Sequence, residues 1–197
     1  MKNCFDVRAY TSMIEDRIQV GWSPSLLSFM FMPLRGSERA VQEQQRRIVE
    51  RVYARFVTRL VRHPRALSEV GNLPIWICTP DFPVAKHAKR SLSEIAINDG
   101  QHVHGLCLIP PARRITDMTE HVSKHQALYT NVTGLMRLDA QAITHDVEYV
   151  VGYATKMIIR GRVDPDALLI LPRAHSEVTT GRGQIGRNAS IFAAAQA

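Results

Sequence analysis

The sequence predicts an α+β fold, in which an antiparallel sheet of about five strands packs against helices. Its apolar residues recur with a period of two in some segments, as in strands, and with a period of about 3.6 in others, as in helices. With 197 residues, of which 45% are hydrophobic, the chain can bury one core and does not require a second. The element order β-α-β-β-β-α-β-α favours an antiparallel sheet with its helices on one side.

The first predicted elements are a strand, a long helix and a second strand. Residues 25–34 form a short apolar run that Gly36 follows, which is typical of a buried strand. Residues 37–63 carry apolar side chains at spacings of three and four, and Pro64 ends the helix that this period predicts. Residues 73–79 form another short apolar run between turn-forming residues, and we predict the second strand there.

A hairpin that carries two histidines is predicted next. Residues 93–98 and 101–109 are both β-prone, and the Asp-Gly dipeptide between them is typical of a tight two-residue turn. His102 and His104 therefore lie on a strand. Because strand side chains alternate, both imidazoles point to one face, and the apolar Val103 points to the other.

The second half of the chain predicts a helix, a strand and a second helix. These are residues 117–129, 135–143 and 146–160. The N-cap of the last helix has three candidates, Thr144, His145 and Asp146. We therefore expect one domain over residues 25–162, with an N-terminal extension at 1–24 and a partly disordered C-terminal tail at 163–197.

Charge and cysteine content limit the class of protein. The formal net charge of +7 favours anionic partners, of which nucleic acid is the commonest. The three cysteines form no C-x-x-C pair, so neither a disulfide framework nor a thiolate zinc site is indicated. No apolar run has the length of a membrane span, and the N-terminus lacks a signal-peptide stretch. We expect a soluble protein of the cytoplasm with no membrane partner.

The first long helix carries a stripe of arginines opposite its apolar side. The stripe consists of Arg47, Arg51, Arg55, Arg59 and Arg62. It is either an ordinary solvated face or a surface that follows a DNA backbone.

The last helix places two tyrosines away from its apolar face. At about 100° per residue, Val147, Val150, Val151, Ala154 and Ile158 cluster on one side. Tyr149, Tyr153, Lys156 and Arg160 fall together elsewhere. This position counts against a role as core aromatics, and we group Arg160 with the arginines as a candidate DNA contact.

Two motifs give the chain a resemblance to a known family. His102-Val103-His104 resembles the His-hydrophobe-His signature of the HUH endonucleases. Tyr149-x-x-x-Tyr153-x-x-Lys156 is similar to the paired-tyrosine motif of their replication-initiator branch, which serves rolling-circle phages and plasmids. The resemblance covers residues 26–160 in the order of the elements, from the first strand through the histidine hairpin to the tyrosine helix.

The resemblance implies a ferredoxin-like nuclease core that nicks single-stranded DNA at an origin and rejoins it. His102, His104 and one oxygen ligand would hold Mg²⁺ or Mn²⁺. Tyr153 would attack the phosphate to form a 5′-phosphotyrosine, with Tyr149 as a second nucleophile and Lys156 stabilising the charge. Implied partners are the origin single strand and the helicase and polymerase of the host cell.

The third metal ligand and the function class stay open at this point. We predict Glu94, on the partner strand of the hairpin, as the third ligand, but Asp81, His87, Asp99 and Gln101 are alternatives because the sequence does not fix the strand register. One alternative function is a nucleic-acid-binding module without catalysis. Another is a relaxase or transposase relative with the same chemistry.

Overall fold

The computed structural model of the chain describes residues 6–64, 66–82, 100–111, 113–131 and 134–173. The α+β class with a five-stranded antiparallel sheet and packed helices is confirmed within these residues. The helices and strands in chain order are α1 (Val7–Gln19), β1 (Ser23–Phe31), α2 (Glu38–Leu60), β2 (Ile75–Asp81), β3 (His102–Ile109), α3 (Met118–Thr130), β4 (Leu135–Ala142), α4 (Val147–Ala154), α5 (Lys156–Ile159) and β5 (Leu169–Leu171).

The sheet has the strand order β4-β1-β3-β2-β5, and all of its pairings are antiparallel. The histidine strand β3 is central, with β1 on one side and β2 on the other. Side chains from three adjacent strands can therefore meet on one face of the sheet.

The prediction that the helices lie on one side of the sheet is wrong. The helices α2 and α3 pack on one face, and α1, α4 and α5 pack on the other, so the sheet separates two apolar clusters. Along β3, Val103 and Cys107 point into the first cluster, while Leu106 and Leu108 point into the second. A strand that is covered on both faces is apolar at nearly every position, as β3 is from residue 105 to 109.

The last helix begins as predicted but is divided. Asp146 is the N-cap, and its Oδ1 accepts a hydrogen bond from the Tyr149 amide over 3.0 Å. The single helix that we predict over residues 146–160 is wrong, because α4 ends at Ala154 and α5 starts at Lys156. Thr155 between them has φ −103° and ψ 9°, outside helical geometry.

Two elements outside the predicted range 25–162 pack in the same folded body. In α1, Ile14 is fully buried in the cluster that also contains Val151 of α4. The short strand β5 pairs with β2 at the sheet edge. The predicted strand at 93–98 and the tail beyond residue 173 lie outside the described residues.

Candidate metal centre and tyrosine pair

The strand register brings the candidate ligands to one face of the sheet. On β3, His104 lies opposite Ser28 of β1 and Thr79 of β2. His102 lies opposite Asp81, the last residue of β2. Because directly opposite residues point to the same side, both imidazoles and the Asp81 carboxylate share the face that carries α4 and α5.

Asp81, His102 and His104 form a compact triad with the composition of a metal site. The Asp81 Oδ2 atom is 3.2 Å from His102 Nε2 and 3.1 Å from His104 Nε2. The two Nε2 atoms are 3.2 Å apart. Asp81 is 1% exposed and His104 is 4% exposed, so the cluster is buried on its inner side.

Hydrogen bonds at the far ring nitrogens orient the two imidazoles. The Nδ1–H of His102 donates to the Gly100 carbonyl over 3.0 Å, since a carbonyl can only accept. The Nδ1 of His104 lies 3.2 Å from the Ser28 hydroxyl, which can accept in the same way. Rings held like this turn their Nε2 atoms toward Asp81. Metal-ligating histidines are typically oriented by such outer contacts.

The triad fits a divalent cation. The Asp81 Oδ2 is buried and makes no hydrogen bond of normal geometry, although three nitrogens approach it. Two imidazole nitrogens and a carboxylate oxygen that converge within about 3 Å are all groups that can ligate a cation placed among them. Ligands at about 2.1 Å from an ion have neighbours about 3 Å away, which is close to the observed spacing. A two-imidazole, one-carboxylate set suits several divalent metals and does not select one of them.

Lys156 provides a positive charge beside the triad. Its Nζ atom lies 2.5 Å from the Asp81 Oδ2. Burial alone would raise the pKa of Asp81, but the contacts with His102, His104 and Lys156 outweigh burial and hold that pKa well below its usual range. The carboxylate is therefore charged at neutral pH and can serve as a ligand.

The tyrosine pair of α4 lies against the triad. The ring centroid of Tyr153 is 5.0 Å from that of His104, and Lys156 Nζ is 4.3 Å from the Tyr153 centroid. The Tyr149 ring stacks on Tyr153, with centroids 6.4 Å apart. Tyr149 is 67% exposed and Tyr153 is 39% exposed, as their position off the apolar stripe predicts. The structure thus brings the two sequence motifs together at one place.

A pocket opens next to His104 on the side of β1 and β4. Its volume is about 580 Å³, and it is lined by His104, both tyrosines, and residues of the two strands, including Ser28 and Gln141. This volume is within the usual range of small-ligand sites. A larger cavity of about 830 Å³ lies on the opposite face of the sheet, near the start of α2, and none of the triad residues lines it. The smaller pocket is therefore the one that belongs to the site.

The position of Asp81 favours one of the alternatives that the sequence left open for the third ligand. Among the described residues, Asp81 completes the group with the two histidines. Gln101 is not part of that group. The preferred Glu94, and the alternatives His87 and Asp99, lie outside the described residues. One feature of the sequence could have pointed to Asp81 as the third ligand. Asp81 closely follows a predicted strand, residues 73–79, that could pair with the histidine strand.

The arginine stripe lies across the sheet from the triad, because α2 packs on the other face. Arg47 pairs with Glu43 over 2.9 Å, and Arg55 donates to the Leu128 carbonyl over 2.7 Å. Arg51 and Arg59 are on the same helix. A DNA strand bound at the triad would have to pass around the edge of the sheet to reach these arginines. Arg160 follows α5 directly and lies on the triad side.

Comparisons of this chain with protein-family models, with curated protein sequences and with solved structures gave no match. Among the described residues, no helix has both the length and the apolar character that crossing a bilayer requires. The geometry of the triad and the tyrosine pair therefore carries the functional argument.

Proposed function

We propose that this protein is a metal-dependent endonuclease and strand transferase that acts on single-stranded DNA, with Tyr153 as its nucleophile. One observation carries the proposal: the Tyr153 ring lies 5.0 Å from the ring of His104, which belongs to a two-histidine, one-carboxylate triad. The same combination of features underlies the resemblance to the HUH endonucleases.

The three ligands would together hold one metal ion at the phosphate. A divalent ion such as Mg²⁺ or Mn²⁺, held by Asp81, His102 and His104, would polarise the phosphate that is to be cleaved. The hydrogen bonds to Gly100 and Ser28 keep both Nε2 atoms turned toward Asp81. The pocket beside His104 gives the DNA on one side of that phosphate a place to lie.

Tyr153 performs the covalent step. Its phenolic oxygen forms a bond to phosphorus while the bond from phosphorus to the 3′ oxygen breaks. The phenol gives up its proton to solvent and the departing oxygen takes one up, so that no net charge is created. The products are a 5′-phosphotyrosine and a free 3′-hydroxyl, from which a polymerase can extend. Because one phosphodiester replaces another, a 3′-hydroxyl can later reverse the step.

Tyr149 and Lys156 complete the set. Tyr149 lies one helical turn from Tyr153 and stacks on it, which suits a second nucleophile for the return transfer. Lys156 contacts both the Asp81 carboxylate and the Tyr153 ring. Its positive charge is therefore placed to stabilise negative charge on the phosphate or on the phenolate.

In this proposal the biological role is to nick the origin of a rolling-circle phage or plasmid. The resemblance supports this role, and it implies two partners from the host cell, a helicase that unwinds the duplex and a polymerase that extends the exposed 3′ end. The site of action would be the cytoplasm of the host. A relaxase or transposase relative would use the same residues on a different DNA.

Formation of a covalent adduct tests the proposal directly. The protein is incubated with Mn²⁺ and a labelled library of single-stranded oligonucleotides of random sequence, and adducts are detected on denaturing gels and by intact mass. We expect an adduct that Tyr153→Phe reduces strongly and that Tyr10→Phe, a control on α1, leaves in place. An adduct that persists in the double variant Tyr149→Phe/Tyr153→Phe would refute the assignment.

A nucleic-acid-binding module without catalysis is the second candidate, and the net charge of +7 favours it. It predicts DNA binding that weakens with salt, needs no metal and cleaves nothing. The double variant His102→Ala/His104→Ala separates the two candidates when it is compared with the parent in a metal titration. A parent that binds DNA without metal and cleaves nothing would support the module.

A further inference from the structure

The division between α4 and α5 leaves one backbone carbonyl without a partner in the helix. In an unbroken helix the Ala154 carbonyl would accept from the Ile158 amide, four residues on. The Ile158 amide instead donates to the Thr155 carbonyl over 3.0 Å. The Ala154 carbonyl, which directly follows Tyr153 in the chain, is therefore available to another donor.

That donor comes from the sheet. The Thr79 hydroxyl of β2 donates to the Ala154 carbonyl, and Thr79 is only 1% exposed. Thr79 lies opposite His104 in the strand pairing and two positions before Asp81. One buried hydrogen bond thus links the strand that carries the carboxylate to the helix end that carries the tyrosine.

Apart from the ion pair of Lys156 with Asp81, which holds α5 beyond the break, the other contacts between helix and sheet do not fix the end of α4 as closely. Val151, Ala154 and Met157 pack in the cluster that contains Ile77 and Leu106. Apolar burial of this kind is non-directional and tolerates small shifts along the sheet. A hydrogen bond inside the protein has a preferred length and angle, and leaving the carbonyl unpaired would be costly.

We propose that Thr79 is a positioning residue, whose hydroxyl sets the place of Tyr153 over the triad through the Ala154 carbonyl. The catalytic role of Thr79 rests on the proposed function, because it requires Tyr153 to be the nucleophile. The geometric claim stands apart from catalysis. It states that the Tyr153 ring keeps its place against His104 only while residue 79 carries a hydroxyl.

Two substitutions at residue 79 separate the hydroxyl from the shape of the side chain. Thr79→Val keeps the branched shape and removes the donor, so the end of α4 should shift. Thr79→Ser keeps the donor and should leave Tyr153 in place. A shift of about 1 Å at a reacting group can lower a rate by about 100-fold, so we expect Thr79→Val to slow adduct formation by about that factor.

The first readout needs neither metal nor DNA. The protein is labelled with 3-fluorotyrosine, and the ¹⁹F resonance of Tyr153 is identified by its absence in Tyr153→Phe. Because the His104 ring lies 5.0 Å away, this resonance responds to small movements of the tyrosine. We expect it to move in Thr79→Val and to keep its position in Thr79→Ser. Mn²⁺ affinity should be unchanged in both variants, since the three ligands remain.

Each outcome decides one claim. A Tyr153 resonance that is unchanged in Thr79→Val, or displaced in Thr79→Ser, overturns the proposal, and the serine variant gives this answer even if the valine variant fails to fold. A displaced resonance with an unchanged rate of adduct formation supports the geometric claim and overturns the catalytic role of Thr79. If the parent forms no adduct at all, the proposed function fails, and the resonance alone then decides whether Thr79 positions the tyrosine.

Discussion

Asp81 lies directly opposite His102 in the antiparallel pairing of β2 with β3, and its Oδ2 atom is 3.2 Å from the Nε2 of that histidine. The pairing explains why residues far apart in the chain form one ligand group. It also places a buried carboxylate between two imidazoles and the ammonium of Lys156, so that each of these groups affects the charge of the others.

Asp81→Asn should weaken binding of Mn²⁺ by at least about 100-fold, because an amide is neutral and the site loses its only carboxylate among the described ligands. Isothermal titration calorimetry measures the affinity. Glu43→Gln is the control, since Glu43 is paired with Arg47 on α2, across the sheet from the triad, and its affinity should equal that of the parent. Equal affinities in the two variants would contradict the role of Asp81.

Ser28→Ala should lower metal affinity by about 10-fold to 100-fold while every ligand is retained, because the His104 ring loses the partner that orients it. The same titration measures this effect. Ser23→Ala, at the start of the same strand, should have no effect. A parent-like affinity in Ser28→Ala would show that packing alone holds the His104 ring.

Lys156→Met should change metal affinity and activity in opposite directions. Removal of the ammonium eliminates a cation that competes for Asp81, so the metal should bind more tightly even though the pKa of Asp81 moves up toward its ordinary value. Adduct formation should fall by about 100-fold, because a charge that stabilises the reacting phosphate is lost.

The control for Lys156→Met is Arg160→Met, which removes a positive charge just beyond α5. It should leave metal affinity unchanged. If Lys156→Met weakened the metal instead, the ammonium would have to support the triad, and the proposed competition would be wrong.

A histidine cluster on the other face of the sheet should make stability depend on pH. Burial, then the nearby charges of His125 and Arg59, lower the pKa of His121, whose Nε2 lies 2.6 Å from the Tyr129 hydroxyl. A histidine with a lowered folded-state pKa binds fewer protons when folded than when unfolded. Its stabilising contribution is therefore complete above the unfolded value of about 6.5 and is lost as the pH falls below it.

Urea denaturation at about pH 7.5 and at about pH 5 measures this loss of stability. In His121→Gln, which cannot titrate in this range, the drop in the free energy of unfolding should be smaller than in the parent. His63→Gln, at an exposed histidine, should show the parental drop. An identical drop in all three proteins would show that His121 does not cause the pH dependence of stability.

Local patterns predicted most of the elements. The periodicity of residues 37–63 predicts α2, and the N-cap candidates at residues 144–146 predict the start of α4, because both depend on neighbours within one or two turns. The break at Thr155 was missed, since no proline or other helix-breaking signal marks it in the sequence. The side of the sheet on which each helix packs was also beyond local patterns, because it depends on how the chain crosses the sheet.

By itself, the sequence determined that two histidines share one face of a strand and that two tyrosines avoid the apolar side of a helix, because side-chain direction follows from the period of each element. Only the tertiary structure decided that these groups meet, that Asp81 joins them, and that the α2 arginines lie on the opposite face. Strand register and helix placement are set by packing between distant segments, and a one-residue slip in the pairing would turn Asp81 to the other face.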